Sequence, residues 1–178
     1  METNRLFVFI ISLLLISCGS NPNEYDPNML ADSLQTNVTT LNTFKINFKK
    51  TDSNLKTVHI KLNDANGYDA LFDTGCSGML ISSLELVNLI KSGTISESDY
   101  VGVANSVIAD GTVIENAVYN IREVSFTDTD GVSHTIRDVQ ATVVDNPQAE
   151  ILIGSAVIDN LCRKSYTVDL SNKLIIFQ

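Results

Sequence analysis

The sequence has no tryptophan, few aromatic residues of any kind, two histidines and three cysteines. Its basic side chains are also scarce, 12 Lys and Arg against 21 Asp and Glu, leaving a formal charge of -9. Each shortage narrows the field. Neutralising phosphates needs clustered Lys or Arg, so nucleic acid is not expected as a partner. Three cysteines do not make a disulfide-rich scaffold, and none of them stands in the CxxC spacing that zinc sites and thioredoxin-like motifs use, so no metal is expected. A cysteine nucleophile needs a positioned histidine, but His59 and His134 both fall on polar faces of predicted strands. No serine occupies a G-x-S-x-G turn, which removes the commonest context for a Ser-His-Asp hydrolase. What is present is a chain of 178 residues, 44% hydrophobic and rich in Val, Ile and Leu. That is enough for one folded domain with an appendage.

The appendage is at the start. Arg5 precedes an apolar run over 6–16, too short to span a bilayer comfortably, followed by Ser17, Cys18, Gly19 and Ser20. A short, positively flanked apolar segment ending in small residues reads as a secretory signal and is left out of the fold. Leu15-Ile16-Ser17-Cys18 resembles the bacterial lipobox. The resemblance implies a signal peptide over 1–17, acylation of Cys18, and attachment to a membrane of the bacterial cell envelope on its periplasmic or surface face. Residues 18–43 are rich in Asn, Ser, Thr, Asp and Pro without period, the composition of a solvated tether. The folded domain is then 44–178.

Within it Val58, Ile60 and Leu62 alternate with His59 and Lys61, the period of a half-buried strand, and 68–72 is the returning strand. Ser82 and Glu85 form a capping box ahead of Leu86, Leu89 and Ile90 at helical spacing, with Gly93 placed to stop the helix. Asp110-Gly111 suits a tight hairpin between strands at 107–109 and 112–114. Asp128-Thr129-Asp130-Gly131 marks a turn between strands 119–126 and 132–144. A strand over 150–153, a helical piece over 156–161 and a hairpin over 166–177 complete a mainly β pattern with no long repeat.

The strand Ala70-Leu71-Phe72 leads into Asp73-Thr74-Gly75, then Cys76 and Ser77. Water can be made to cleave an amide by two carboxylates about 3 Å apart that share one proton, one acting as base and the other as acid. Such an Asp must be held rigidly, with a hydroxyl neighbour fixing its loop and a glycine allowing backbones to approach. The apolar pair before Asp73 and the small residue and serine after Gly75 resemble the active-site signature of the retropepsin-like aspartic peptidases. The likeness continues downstream in order over about 56–178, with a flap hairpin tipped by Ala109, Asp110 and Gly111. An apolar segment ending at Ile153 and Gly154 matches the element that packs behind the catalytic loop.

The resemblance implies a closed β-barrel lobe with one or two short helices, catalytic Asp73, and Thr74, Gly75, Cys76 and Ser77 as the active-site loop. It implies a peptide or protein substrate and no cofactor. A two-lobed enzyme would carry a second Asp-Thr-Gly or Asp-Ser-Gly, which this chain lacks, so the second carboxylate is expected from another copy in a homodimer. Thr74 of each copy would then bond across the axis, and Gly75 would lie under the substrate.

Two charges of the retroviral members are missing together. Ser77 stands where they have an acidic residue, and Ser155 where they have an Arg after the later Gly. This looks like the cellular and bacterial branch. Cys76 and Cys162 either pair in a disulfide or stay thiols, and thiols are the favoured reading. The competing functional readings are a catalytically silent peptide-binding lipoprotein of the same fold and a purely structural envelope lipoprotein.

Overall fold

The computed structural model describes residues 43–65, 67–107, 112–162 and 164–178. The expected signal peptide, Cys18, the tether up to 42 and the flap tip Ala109, Asp110 and Gly111 lie outside the described residues. Among those described, the order of elements is β1 (Phe44–Lys50), β2 (Lys56–Leu62), β3 (Gly67–Phe72), β4 (Met79–Ser82), α1 (Ser83–Lys91), β5 (Tyr100–Val107), β6 (Val113–Thr127) and β7 (Ser133–Val144). Then follow β8 (Leu152–Ile153), α2 (Ser155–Leu161), β9 (Tyr166–Asp169) and β10 (Leu174–Phe177). The chain is mainly β, as its alternations predict.

The strands run in the order β5-β6-β7-β4-β8-β3-β2-β1-β10-β9, with a further pairing of β6 to β2. That last contact, Ile60 opposite Phe126 and Leu62 opposite Val124, makes the pairings β2-β3-β8-β4-β7-β6 a closed circuit. One core fills it, with Phe126, Phe177, Ile60, Leu62, Met79, Ile81, Ile121 and Ile153 among the most buried side chains. Each such side chain contributes roughly 1.5–3 kcal/mol by leaving water. Among the described residues, 43–178 contain one continuous core and a strand partner for each of the ten strands.

Four local expectations change in three dimensions. First, β1 had no expected strand, although Phe44, Ile46 and Phe48 are buried and Lys45, Asn47 and Lys49 exposed in strict alternation. Second, the expected strands 112–114 and 119–126 are not separate but merge into the 15-residue β6, which begins at Val113 and leaves Thr112 outside it. Polar Glu115 and Asn116 break the apolar pattern there, and backbone pairing to β5 carries the strand through them. A bulge between Tyr100 and Gly102 hides the start of β5 in the same way.

Third, the capping box of α1 forms: Ser82 Oγ accepts from the backbone N–H groups of Leu84 and Glu85, and the Glu85 carboxylate accepts from Ser82 N. Gly93, at φ 72, ends the helix. Only Leu86 and Leu89 turn inward, however, and Ile90 is exposed with Leu84 and Val87. Among the described residues the helix lies mainly on β4 and β7, and that stripe does not reach a residue 100° further round.

Fourth, His134 is not an exposed strand histidine. Its ring stacks on Phe44 with centroids 3.7 Å apart, and Nε2 meets Asp128 Oδ2 at 2.8 Å. The other Asp128 oxygen accepts from the N–H groups of Asp130 and Val132, closing the expected turn. His134, and after it those N–H groups, hold the Asp128 carboxyl below its ordinary 3.8. A carboxylate with a depressed value stabilises the fold fully above the ordinary value, and that contribution is lost as pH falls through the lower folded value. Asp128→Asn is therefore expected to lower the Tm at neutral pH, with the gap to wild type closing below pH 3.8. Thermal melts across that range check it, and a constant gap would refute the linkage.

Candidate active site

The position of Asp73 follows from how β8 is inserted. β8 pairs in parallel with β3, Leu71 opposite Leu152 and Phe72 opposite Ile153, and antiparallel with β4, Met79 opposite Ile153. Residues 73–78 join the two strands that flank β8, so the loop must arch over the end of β8, where Gly154 stands. Asp73 N donates to Ile153 O at 3.1 Å, continuing the ladder to the end of the strand.

Past Gly154 the chain turns into α2, whose first N–H groups have no partners within the helix. The loop supplies them. Gly154 N donates to Gly78 O at 2.8 Å, Ser155 N to Cys76 O at 2.8 Å and Ala156 N to Ser77 O at 3.0 Å. The expected support by Ile153 and Gly154 is thus a backbone clamp, with Gly154 pressed so close that a Cβ there would lie 2.3 Å from both Cys76 O and Gly78 O. The Cys76 thiol is turned inward and buried, donating to Gly78 O at 3.4 Å.

With its carbonyls held from behind, the loop presents its opposite side to solvent. Thr74 and Gly75 are exposed and Asp73 is half-buried. Gly75 N donates to Asp73 Oδ1 at 2.9 Å, and Cys76 N donates to Asp73 O at 3.2 Å, so the carboxyl is oriented by its own turn. Among the described residues no Lys, Arg or His pairs with Asp73, whereas Asp69, Asp99 and Asp128 are all so engaged.

In the sequence Ser155 is only a departure from the retroviral pattern. In the structure its Oγ donates to Thr74 O at 3.0 Å, a contact between residues 81 apart in the chain. Nothing local could have found it. Cys162 is a free thiol whose Sγ lies 3.7 Å from Ile158 O, and burial pushes its pKa up, with Asp159 adding to the rise. Cys76 and Cys162 therefore form no disulfide with each other. Among the described residues no group of His, Cys, Asp and Glu is placed to hold a metal ion, and no helix is long and apolar enough to cross a membrane.

No protein-family model and no curated protein matches the chain. Among solved structures it is similar to a retropepsin-like aspartic protease from Rickettsia conorii, with a TM-score of 0.52 at 11% identity, covering 76% of this chain and 92% of that one. It also aligns with Basic 7S globulin from soybean, at a TM-score of 0.44 and 14% identity over 76% of this chain and 42% of that protein. The fold is retropepsin-like.

Proposed function

We propose that the protein is an aspartic endopeptidase, held to a membrane of the cell envelope through an acylated Cys18 and a tether over 18–43, with the catalytic domain at 44–178. The observation that carries this reading is the Asp73 loop itself. A half-buried carboxylate with no basic partner among the described residues is oriented by Gly75 N and presented on an outward-facing turn anchored from behind by α2.

One carboxylate is not enough for the chemistry, so the second comes from another copy of the chain, with the two Asp73 residues meeting at a two-fold axis. The ionised member takes a proton from water as the oxygen attacks the scissile carbonyl. The protonated member shares its proton with that carbonyl oxygen, and the amide nitrogen is protonated as the C–N bond breaks. The hairpin of β5 and β6 covers the substrate as a flap, pairing with an extended peptide.

Incubating the segment 43–178 with a mixed peptide library, over a range of protein concentrations and with or without pepstatin, tests the reading. The expected result is cleavage that pepstatin abolishes, with activity per chain rising as concentration drives dimers. If nothing is cut at any concentration, the peptidase reading falls and a silent peptide-binding lipoprotein takes its place.

A further inference from the structure

We infer that Ser155 is a positioning residue for the Asp73 carboxyl, acting through the peptide unit between Thr74 and Gly75. The inference rests on the peptidase reading for its catalytic consequence, although its geometry does not.

The carbonyls of the loop fall into two groups. Those of Cys76, Ser77 and Gly78 accept from the backbone of 154–156, and that of Asp73 from Cys76 N, so exchanging the serine side chain at 155 for that of alanine or threonine leaves these bonds in place. The Thr74 carbonyl is different. It sits at the exposed tip of the turn, and its donor is the Ser155 hydroxyl at 3.0 Å. This is a side-chain contact, and an alanine would remove it.

The Thr74 carbonyl belongs to the same rigid plane as the Gly75 N–H, because the amide between them is planar and trans. Fixing the oxygen on one side therefore fixes the direction of the N–H on the other. That N–H donates to Asp73 Oδ1 at 2.9 Å. The line runs from Ser155 Oγ–H to Thr74 O, across one peptide, and from Gly75 N–H to the carboxylate. A hydrogen bond accepted by the carbonyl also polarises the amide and strengthens the bond its N–H gives. Without the hydroxyl the plane can rock about the flanking dihedrals, and the carboxylate loses its orientation. The site then still binds peptide but less often holds Asp73 in the reactive position, which lowers kcat more than it changes KM.

Three forms of 43–178 test this: wild type, Ser155→Ala and Ser155→Thr. Ser155→Ala is expected to reduce kcat about five- to tenfold, the size of one net hydrogen bond, with KM within about twofold of wild type. Ser155→Thr, which keeps a hydroxyl at the same place, is expected to restore kcat. An unchanged kcat in Ser155→Ala, or no recovery in Ser155→Thr, overturns the inference. Amide hydrogen exchange at Gly75 gives a second readout that needs no activity: Ser155→Ala should exchange about five- to tenfold faster there, and Ser155→Thr should not. If wild type cuts no peptide, the peptidase reading fails alone when Gly75 exchange accelerates as expected. Unaltered exchange sinks the positioning role whatever the activity.

Discussion

Replacing Gly154 with alanine is expected to lower the Tm by about 15–20 °C and to abolish whatever the Asp73 loop does, because the cost is one of space that only a backbone shift can relieve. The backbone at Gly154 has φ -93 and ψ -174, a conformation alanine adopts freely, so no strain in the dihedrals is involved. The new methyl would stand 2.3 Å from the carbonyl oxygens of Cys76 and Gly78 and 2.7 Å from the Cys76 carbonyl carbon. All three are backbone atoms of the loop, and contacts below 3.0 Å force something to shift. To make room, the loop must lift off α2, stretching the bonds from Gly154, Ser155 and Ala156 to Gly78, Cys76 and Ser77. Overpacking of this kind costs about 1–3 kcal/mol and each weakened hydrogen bond about 1 kcal/mol more. Thermal melting of the variant measures the sum. A Tm within error of wild type would mean that the loop is not clamped as described.

Asp73→Asn has the opposite signature, a large loss of activity with no loss of fold. An asparagine keeps a carbonyl oxygen where Oδ1 stands, so it can still accept from Gly75 N, and the turn is expected to survive with its Tm unchanged. What it cannot do is act as general base or general acid, and peptide cleavage should fall at least about a thousandfold. Mixing the variant with wild type extends the test to the shared site. If each site needs Asp73 from both copies, an equal mixture holds roughly a quarter of its dimers with two aspartates, so activity falls below simple dilution. Activity that merely halves would place a complete site within one chain. Activity retained by Asp73→Asn would remove the aspartate from the mechanism altogether.

The parts of the fold that were legible beforehand are those whose cause is local. The capping box at Ser82 and Glu85 is settled by side chains three residues apart, the turn at 128–131 by an aspartate bonding N–H groups two and four residues on, and β2 by an alternation of period two. Asp73-Thr74-Gly75 stands out in the sequence by its resemblance to a family signature, and the bond that orients its carboxyl, from Gly75 N, lies within the tripeptide. Where the cause is distant, no local pattern shows it. β6 is one strand because three different partners pair along its length, His134 is half-buried because Phe44 from the far end of the domain stacks on it, and Ile90 is exposed because the helix rests mainly on β4 and β7 through its other side.

The sequence by itself determined that this is a mainly β domain carrying an aspartate on a tight turn, because alternation, capping and turn formation act between residues a few positions apart. The tertiary structure alone decided how that turn is held. β8 comes from some eighty residues downstream and slots between the two strands that the turn connects, which leaves no room for a side chain at Gly154 and brings the Ser155 hydroxyl to Thr74 O across 81 positions. Those contacts depend on which backbones become neighbours, and that is fixed only when the whole circuit of strands closes around its core.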